Sequence, residues 1–287
     1  MTSFGCVVLT QGRRPEELRS ALSTLLAQRG VQLDVVLVGN GCRPDHVPDG
    51  VRCIALPDNV GIPAGRNAGV RAVSGDLLFF LDDDDACLAD EHTLLHLAER
   101  FEADPGLGAV QPRIVDPASG TTLRRWVPRL HVGDPSRSSE ICALWEGVVA
   151  MRRDVFDAVG GWPDEFFYMH EGIDLAWRVW DSGRTVRYAG NVVANHPVVS
   201  HGRHPTFHRM NSRNRVFLAR RLLPLPVAAM YLTVWALRTT AAIRSTRDVV
   251  ETVRGVREGF VAPCGSRHPI GWATVWRMTL AGRPPVV

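Results

Sequence analysis

The chain has 287 residues, 45% hydrophobic and 22% charged, with a formal net charge of +3; that suffices to bury one large core, or one domain with an appendage. All 33 basic residues are arginine, so chemistry that needs a lysine amine is excluded, including the phosphate-binding loop G-x-x-x-x-G-K-[ST] and a pyridoxal Schiff base. Six scattered cysteines without a C-x-x-C pair predict free thiols of a reducing, cytoplasmic compartment, and the short apolar run at the start precedes its basic pair, the wrong order for an export signal.

In chain order, FGCVVLT (4–10) reads as a buried strand, PEELRSALSTLLAQ (15–28) as a helix opened by Pro15, and LDVVLVGNG (33–41) as a second buried strand ending in a turn. Strand, helix, strand predicts a parallel pair. VRCIAL (51–56) is followed by PDNVGIPAGRNAGVRAV (57–73), a glycine-punctuated loop entering a helix, and by the strand DLLFFL (76–81). The glycines at 61, 65 and 69 lack the G-x-G-x-x-G spacing, which excludes a classical dinucleotide site. Gly61 and Gly65 still let backbone approach a ligand, and Arg66 at the helix start would bring a guanidinium to a diphosphate; an ordinary structural turn is the alternative. Ligands of an open parallel sheet bind at the carboxyl ends of its strands, where Thr10, Asn40 and residues 82–85 fall, with Arg13 or Arg14 beside them.

The fourth strand runs directly into four aspartates, LLFFLDDDDAC (77–87). Such charge repels itself and resists burial, so it is either an acidic strand end in solvent or a cation site. Four adjacent carboxylates at a strand terminus have no packing rationale, which favours the cation.

Taken together, VVLTQGRRPEELRSALSTLLAQ, VVLVGNG, DNVGIPAGRNAG, LLFFLDDDDA, EGVVAMRRDVFDAVGGWPDEFF, HEGIDLAWRV and VVANHP resemble the family 2 glycosyltransferases, inverting enzymes of the GT-A fold, in the manner of bacterial rhamnosyl- and galactofuranosyl-transferases. The likeness covers about residues 4–220. It implies an α/β fold with a mostly parallel, Rossmann-like sheet flanked by helices. It also implies sugar transfer from a UDP- or dTDP-sugar to a hydroxyl acceptor, a cell-envelope glycan or a lipid-linked intermediate, with Mn²⁺ or Mg²⁺. In the family's D-x-D motif the first and third acids matter most, which maps to Asp82 (ribose or metal) and Asp84 (metal), with Asp83 between them in the nucleotide site; Asp85 makes a one-residue shift to Asp83 and Asp85 possible. His196 in VVANHP matches the histidine that completes the metal shell.

Two departures affect function. The family's usual general base is the Asp of a Glu-Asp pair, and here the run is Glu171-Gly172-Ile173-Asp174; Glu171 is the first substitute, Asp174 the second and His170 a fallback, with Asp174, Trp177 and Arg178 alternatively anchoring the helix. The turn Val38-Gly39-Asn40-Gly41-Cys42 lacks the family's acid, leaving the Asn40 amide for a uracil or thymine edge. Trp126, Trp145, Glu146 and Trp162 lie where family members build the acceptor side, core packing being the alternative for each tryptophan.

Charge divides the chain: residues 1–200 hold 19 Arg against 27 acids, residues 201–287 hold 14 Arg against 3. The run 222–237 is uncharged between Arg221 and Arg238 and too short to span a bilayer, and Pro224 and Pro226 spoil its first turn. It reads as a helix lying on an anionic membrane surface, with Tyr231 and Trp235 at headgroup level, or as a buried core helix. The expected division is a nucleotide-sugar half (1–120), an acceptor and catalytic half (121–215) and a basic helical extension (216–287), peripheral on the inner face of the cell membrane. No nucleic-acid partner is expected. His201, His204 and His208 imitate a zinc site by spacing alone, without a cysteine nearby. The rival functions are a noncatalytic nucleotide-sugar or lipid-binding module and a transferase for a small-molecule acceptor; the lysine-dependent phosphatase and pyrophosphorylase readings fall with the missing lysine.

Overall fold

A computed structural model describes residues 1–84, 86–198 and 206–286. Asp85, His201 and His204 therefore lie outside the described residues, and with them the alternative aspartate register and the histidine cluster. The strands are β1 (Ser3–Thr10), β2 (Gln32–Asn40), β3 (Val51–Leu56), β4 (Leu77–Asp82), β5 (Cys87–Leu88), β6 (Leu107–Val115), β7 (Ser139–Glu140), β8 (Val148–Arg152) and β9 (Thr185–Asn195). The helices are α1 (Pro15–Leu26), α2 (Ile62–Val70), α3 (Thr93–Ala103), α4 (Arg153–Ala158), α5 (Glu171–Asp181), α6 (Phe207–Leu222), α7 (Leu225–Ala242), α8 (Thr246–Val261) and α9 (Trp272–Leu280).

The strands form one sheet in the order β3-β2-β1-β4-β8-β6-β9-β5, with β7 also on β9. The first four strands are mutually parallel, β8 is antiparallel to both β4 and β6, and β6 and β9 are parallel to each other. The interior strands are continuous apolar runs because both faces are covered. On one face Val8, Leu37 and Phe79 meet Leu22 and Leu25 of α1 and Leu97 and Phe101 of α3. On the other, Val7, Val36 and Phe80 meet Val70 of α2, Trp177 and Trp180 of α5 and Phe217 of α6.

This topology gathers one edge. Leu9 pairs with Asp82 and Thr10 with Gly39, so β1, β2 and β4 end side by side. Because β8 runs against β4, its beginning comes to that edge: the Asp82 amide donates to the Gly147 carbonyl at 3.0 Å. The ends of β6 and β9 return to it together through the pair Val115 and Asn195.

The C-terminal helices depart in part from the sequence reading. Pro226 lies in the first turn of α7 and Pro224 is its N-cap, so the prolines start the helix, where a missing N–H costs nothing. Tyr231 is 2% exposed and stands edge-on to Trp177 at 5.9 Å, while Trp235 lies between Arg215 and Arg238. The expected headgroup placement of Tyr231 and Trp235 is thereby corrected: Trp177 of α5 covers Tyr231, and the guanidinium groups of Arg215 and Arg238 partly cover Trp235. Helix α6 runs unbroken across position 216, and α8 approaches it on Gly255 and Gly259, where a Cβ would lie 2.1 Å from the Arg209 carbonyl and 2.5 Å from the Val216 Cβ. Among the described residues, no helix is long and apolar enough to cross a membrane.

Candidate active site

The aspartate run turns away from β4 with each carboxylate meeting a different partner. Asp82 accepts from Arg66 at 2.6 Å, Asp83 from the Thr10 hydroxyl at 2.5 Å, and Asp84 faces His196 Nε2 at 3.2 Å and Arg14 at 3.6 Å. Burial, followed by the charges of its neighbours, pushes Asp83 up to about 6, and burial raises Asp82 despite Arg66. Burial also disfavours the Asp84 anion, but the hydrogen bond and charge of His196, with Arg14, outweigh it and hold Asp84 below the ordinary carboxylate range.

His196 is fixed from three sides. Its Nδ1 lies 2.7 Å from the Pro197 carbonyl, and Trp126 and Trp145 stand 5.6 and 5.3 Å from its ring. That arrangement presents Nε2 to Asp84. Asp84 Oδ1 is buried and has no hydrogen-bond partner, an orphaned oxygen of the kind a cation satisfies. Among the described residues no three His, Cys, Asp or Glu side chains form a complete metal cage. Mg²⁺-type sites commonly use one or two carboxylates and take their remaining ligands from phosphate and water, and Asp84 with His196 fits that partial set.

The residues expected to hold the nucleotide are divided. Arg13, Gln11, Asn40, Asp58 and Asn59 line an open cleft of about 430 Å³ beyond the ends of β1 and β2. Both protons of the Asn40 amide go to Asn59 Oδ1 and the Gly61 carbonyl, at 3.0 and 3.1 Å, while its oxygen accepts from Val60. It clamps the loop and is not the free donor expected for a base edge. Arg66 is likewise corrected. It is 1% exposed, bound to Asp82 and the Glu146 carbonyl and stacked on Trp162 at 4.9 Å; an arginine on the inner face of α2 reaches Asp82 and not solvent.

On the far side, α5 starts where Glu171 and Asp174 enter the site, with opposite surroundings. Asp174 is fully buried and bonded to Arg178 at 2.6 Å and to Arg221 at 3.0 Å. Glu171 is 2% exposed, and its Oε2 has no partner; burial, then the charge of Glu146, pushes it up to about 8. His170 lies against Asn211 at 2.8 Å, and burial lowers it to about 3, below the range of a useful base.

One feature went unread in the sequence, and a second was placed only on the acceptor side. Phe167, Met169 and His170 all have positive φ (61°, 75° and 68°) without being glycine. This strained run is held by the buried Asn214 of α6, whose amide donates to the Phe166, Tyr168 and Met169 carbonyls at 3.0, 2.7 and 2.7 Å. The second is Glu146, whose Oε1 accepts from the Gly172 amide at 2.7 Å. The only sequence signal for the first was a polar residue inside an otherwise ordinary helix.

The profile of the family described as "Glycosyl transferase family 2" matches residues 6–160, from β1 through α4. The chain belongs to glycosyl transferase family 2. It is 28% identical over 196 residues to the "Pre-mycofactocin glycosyltransferase" of Mycobacterium tuberculosis, which covers 63% of this chain and 40% of that relative. It is 36% identical over 112 residues to "Succinoglycan biosynthesis protein ExoO" of Rhizobium meliloti, covering 36% of this chain and 31% of the relative. The chain thus spans 40% or less of the length of these two relatives. Among solved structures, it superposes on the mannosyltransferase PcManGT from Pyrobaculum calidifontis in complex with GDP-Man and Mn²⁺ with a TM-score of 0.57 at 15% identity, over 98% of this chain and 72% of that one. S. aureus TarS 1-349 in complex with UDP-GlcNAc gives 0.60 at 12% identity, over 90% and 80%. These establish the GT-A fold of the family.

Proposed function

We propose that this member of the family transfers a hexosyl or deoxyhexosyl group from a nucleoside-diphosphate sugar to a hydroxyl acceptor, with inversion and with help from a divalent cation. The observation that carries the reading is the convergence, on one sheet edge, of an open polar cleft, three partnered aspartates and a buried unpaired Asp84 oxygen beside His196. Asp84 and His196 would hold Mn²⁺ or Mg²⁺, with Asp82 behind them on Arg66. When bound, the cation supplies positive charge against the diphosphate leaving group. The PcManGT complex contains Mn²⁺, which supports this choice.

The chain's own groups do the rest. Gln11, Arg13 and Asn59 line the space for a nucleoside, and Asp83, fixed by Thr10, stands at its inner end for the ribose side. UDP and dTDP are the donors favoured by the family resemblance. Arg66 holds Asp82 in place and keeps two neighbouring carboxylates from repelling each other apart. The proton of the acceptor hydroxyl goes to the buried carboxylate pair at the start of α5, Glu171 and Glu146; Asp174, saturated by two arginines, anchors the helix. Trp145, half-buried beside His196, offers an indole surface to a sugar ring.

For the acceptor, the relatives' names divide: one refers to succinoglycan and another to O-antigen biosynthesis, and one to pre-mycofactocin. An envelope glycan or its lipid-linked precursor is the primary reading, and a small-molecule acceptor the second. A place at the inner face of the membrane is supported by free cysteines suited to a reducing compartment and by α8, whose outer side exposes Val249, Val253, Val256 and Phe260 at helical spacing with Arg257 on their flank.

The deciding experiment is calorimetric titration of UDP, dTDP and GDP with Mn²⁺ and with EDTA. Affinity should fall at least tenfold on chelation and equally in Asp84→Asn, with the thermal unfolding of that variant unchanged. Equal affinity with and without EDTA would refute the cation's role. A nucleotide-sugar that binds but is never turned over would leave a binding module.

A further inference from the structure

Gly172 is the second residue of α5, and the space next to its Cα is already filled. A Cβ built there would lie 2.5 Å from Glu146 Oε1 and 2.7 Å from both Glu146 Cδ and Cγ. The side chain of Glu146, arriving from the segment before β8, therefore fills the space in which any side chain on residue 172 would begin. It is held there by the Gly172 amide at 2.7 Å, at the end of an 11-residue helix where backbone N–H groups favour an anion. Its backbone is fastened to the donor side: the Glu146 carbonyl accepts from Arg66, which also binds Asp82, and the next carbonyl accepts from the Asp82 amide.

Glu171 contrasts with it at every point. Its Oε2 is buried without a hydrogen-bond partner, and burial, then the charge of Glu146, outweighs Arg66 and its own backbone amide and pushes it up to about 8. Burial raises Glu146 as well, against its own backbone amide, Arg66 and the Gly172 amide; of two carboxyls in one pocket, the one that accepts from the helix amide is the better placed to carry the charge.

We propose that Glu146 is the catalytic base. Its carboxylate takes the proton of the acceptor hydroxyl as that oxygen bonds to the anomeric carbon. The bond from that carbon to the diphosphate oxygen breaks, its electron pair leaving on the nucleoside diphosphate, and Glu146 then releases the proton to solvent. Glu171 is a neutral donor that orients the acceptor or the sugar. The assignment rests on the transfer reading above.

The experiment compares Glu146→Gln, Glu171→Gln and the exchange Glu146→Gly with Gly172→Asp, reading nucleoside-diphosphate release from a turned-over donor and Mn²⁺-dependent nucleotide affinity. Glu146→Gln should lower kcat about 100-fold or more at unchanged affinity, because the amide keeps the Gly172 bond but loses basicity. The exchange should recover at least about tenfold over Glu146→Gln by restoring a carboxylate to the same place. Turnover of Glu146→Gln within about threefold of wild type, or an exchange no better than Glu146→Gln, overturns the assignment. Absence of metal-dependent nucleotide binding in the wild type would sink the transfer reading instead, and the stability of Gly172→Asp then decides. A lower thermal midpoint with Glu146 present, relieved when residue 146 is glycine, upholds the shared pocket; tolerance in both backgrounds removes it.

Discussion

Two acids three positions apart on α5 show how surroundings decide what a residue does. Asp174 sits between Arg178, one turn away, and Arg221 of α6, while Glu171 faces no cation at hydrogen-bond distance. Replacing Asp174 with Asn leaves two buried guanidinium groups short of a counter-charge, which should cost about 3 kcal/mol of stability. Denaturant unfolding should show it as a lower midpoint at unchanged slope, with nucleotide affinity retained; wild-type stability in this variant would return Asp174 to the list of bases. Order along the chain was enough to put Glu171 ahead of Asp174 and to see Arg178, since i,i+4 partners are legible in a sequence. Arg221 was not, because it comes from 47 residues away. Asn40 and Arg66 lie at the crevice but were given outward roles; buried polar groups need partners, and the Asn40 amide and Arg66 Nη2 find theirs inside the protein, while Arg66 Nη1 is buried without one.

The elements themselves were largely visible. The runs read as strands at 4–10, 33–41, 51–56 and 76–81 differ from β1 to β4 by no more than one residue at any end, since parallel strands covered on both faces leave an unbroken apolar signature. The two-residue strands β5 and β7 are too short to leave one. Nor was the loop before α5 legible. Its positive φ values fall on Phe167, Met169 and His170, residues that favour no left-handed conformation of their own, and it is imposed from outside by α6. Asn214→Leu removes the donor to three carbonyls, of which that of Phe166 is buried and also accepts from Arg213, an expected loss of about 2 kcal/mol. The loop carries the start of α5, so donor turnover should fall with it while nucleotide binding, which lies across the sheet edge, persists. A fully active, stable Asn214→Leu would show that the loop holds itself.

At the scale of the molecule, the basic extension covers the α5 side of the sheet with some faces and, among the described residues, leaves one side of α8 apolar and exposed. The acids of that helix are each matched, Asp248 to His208, Glu251 to Arg254 and Glu258 to Arg209, and Arg257 is exposed on the flank of the valine stripe. The protein should co-sediment with vesicles rich in phosphatidylglycerol, less with neutral phosphatidylcholine, and be released by about 0.5 M salt, since exposed charge is screened there. Val253→Glu with Phe260→Glu should abolish sedimentation while leaving metal-dependent nucleotide affinity intact. Sedimentation unaffected by salt and by both changes would exclude α8 as the contact.

The fit of Glu146 over Gly172 has a meaning in the history of the chain as well as in its chemistry. Adding any side chain at 172 first meets an occupied space, and shortening 146 first leaves the amide of Gly172 and the pocket without their acid. Two positions 26 residues apart therefore form one heritable unit, in which each residue fixes what substitutions the other permits.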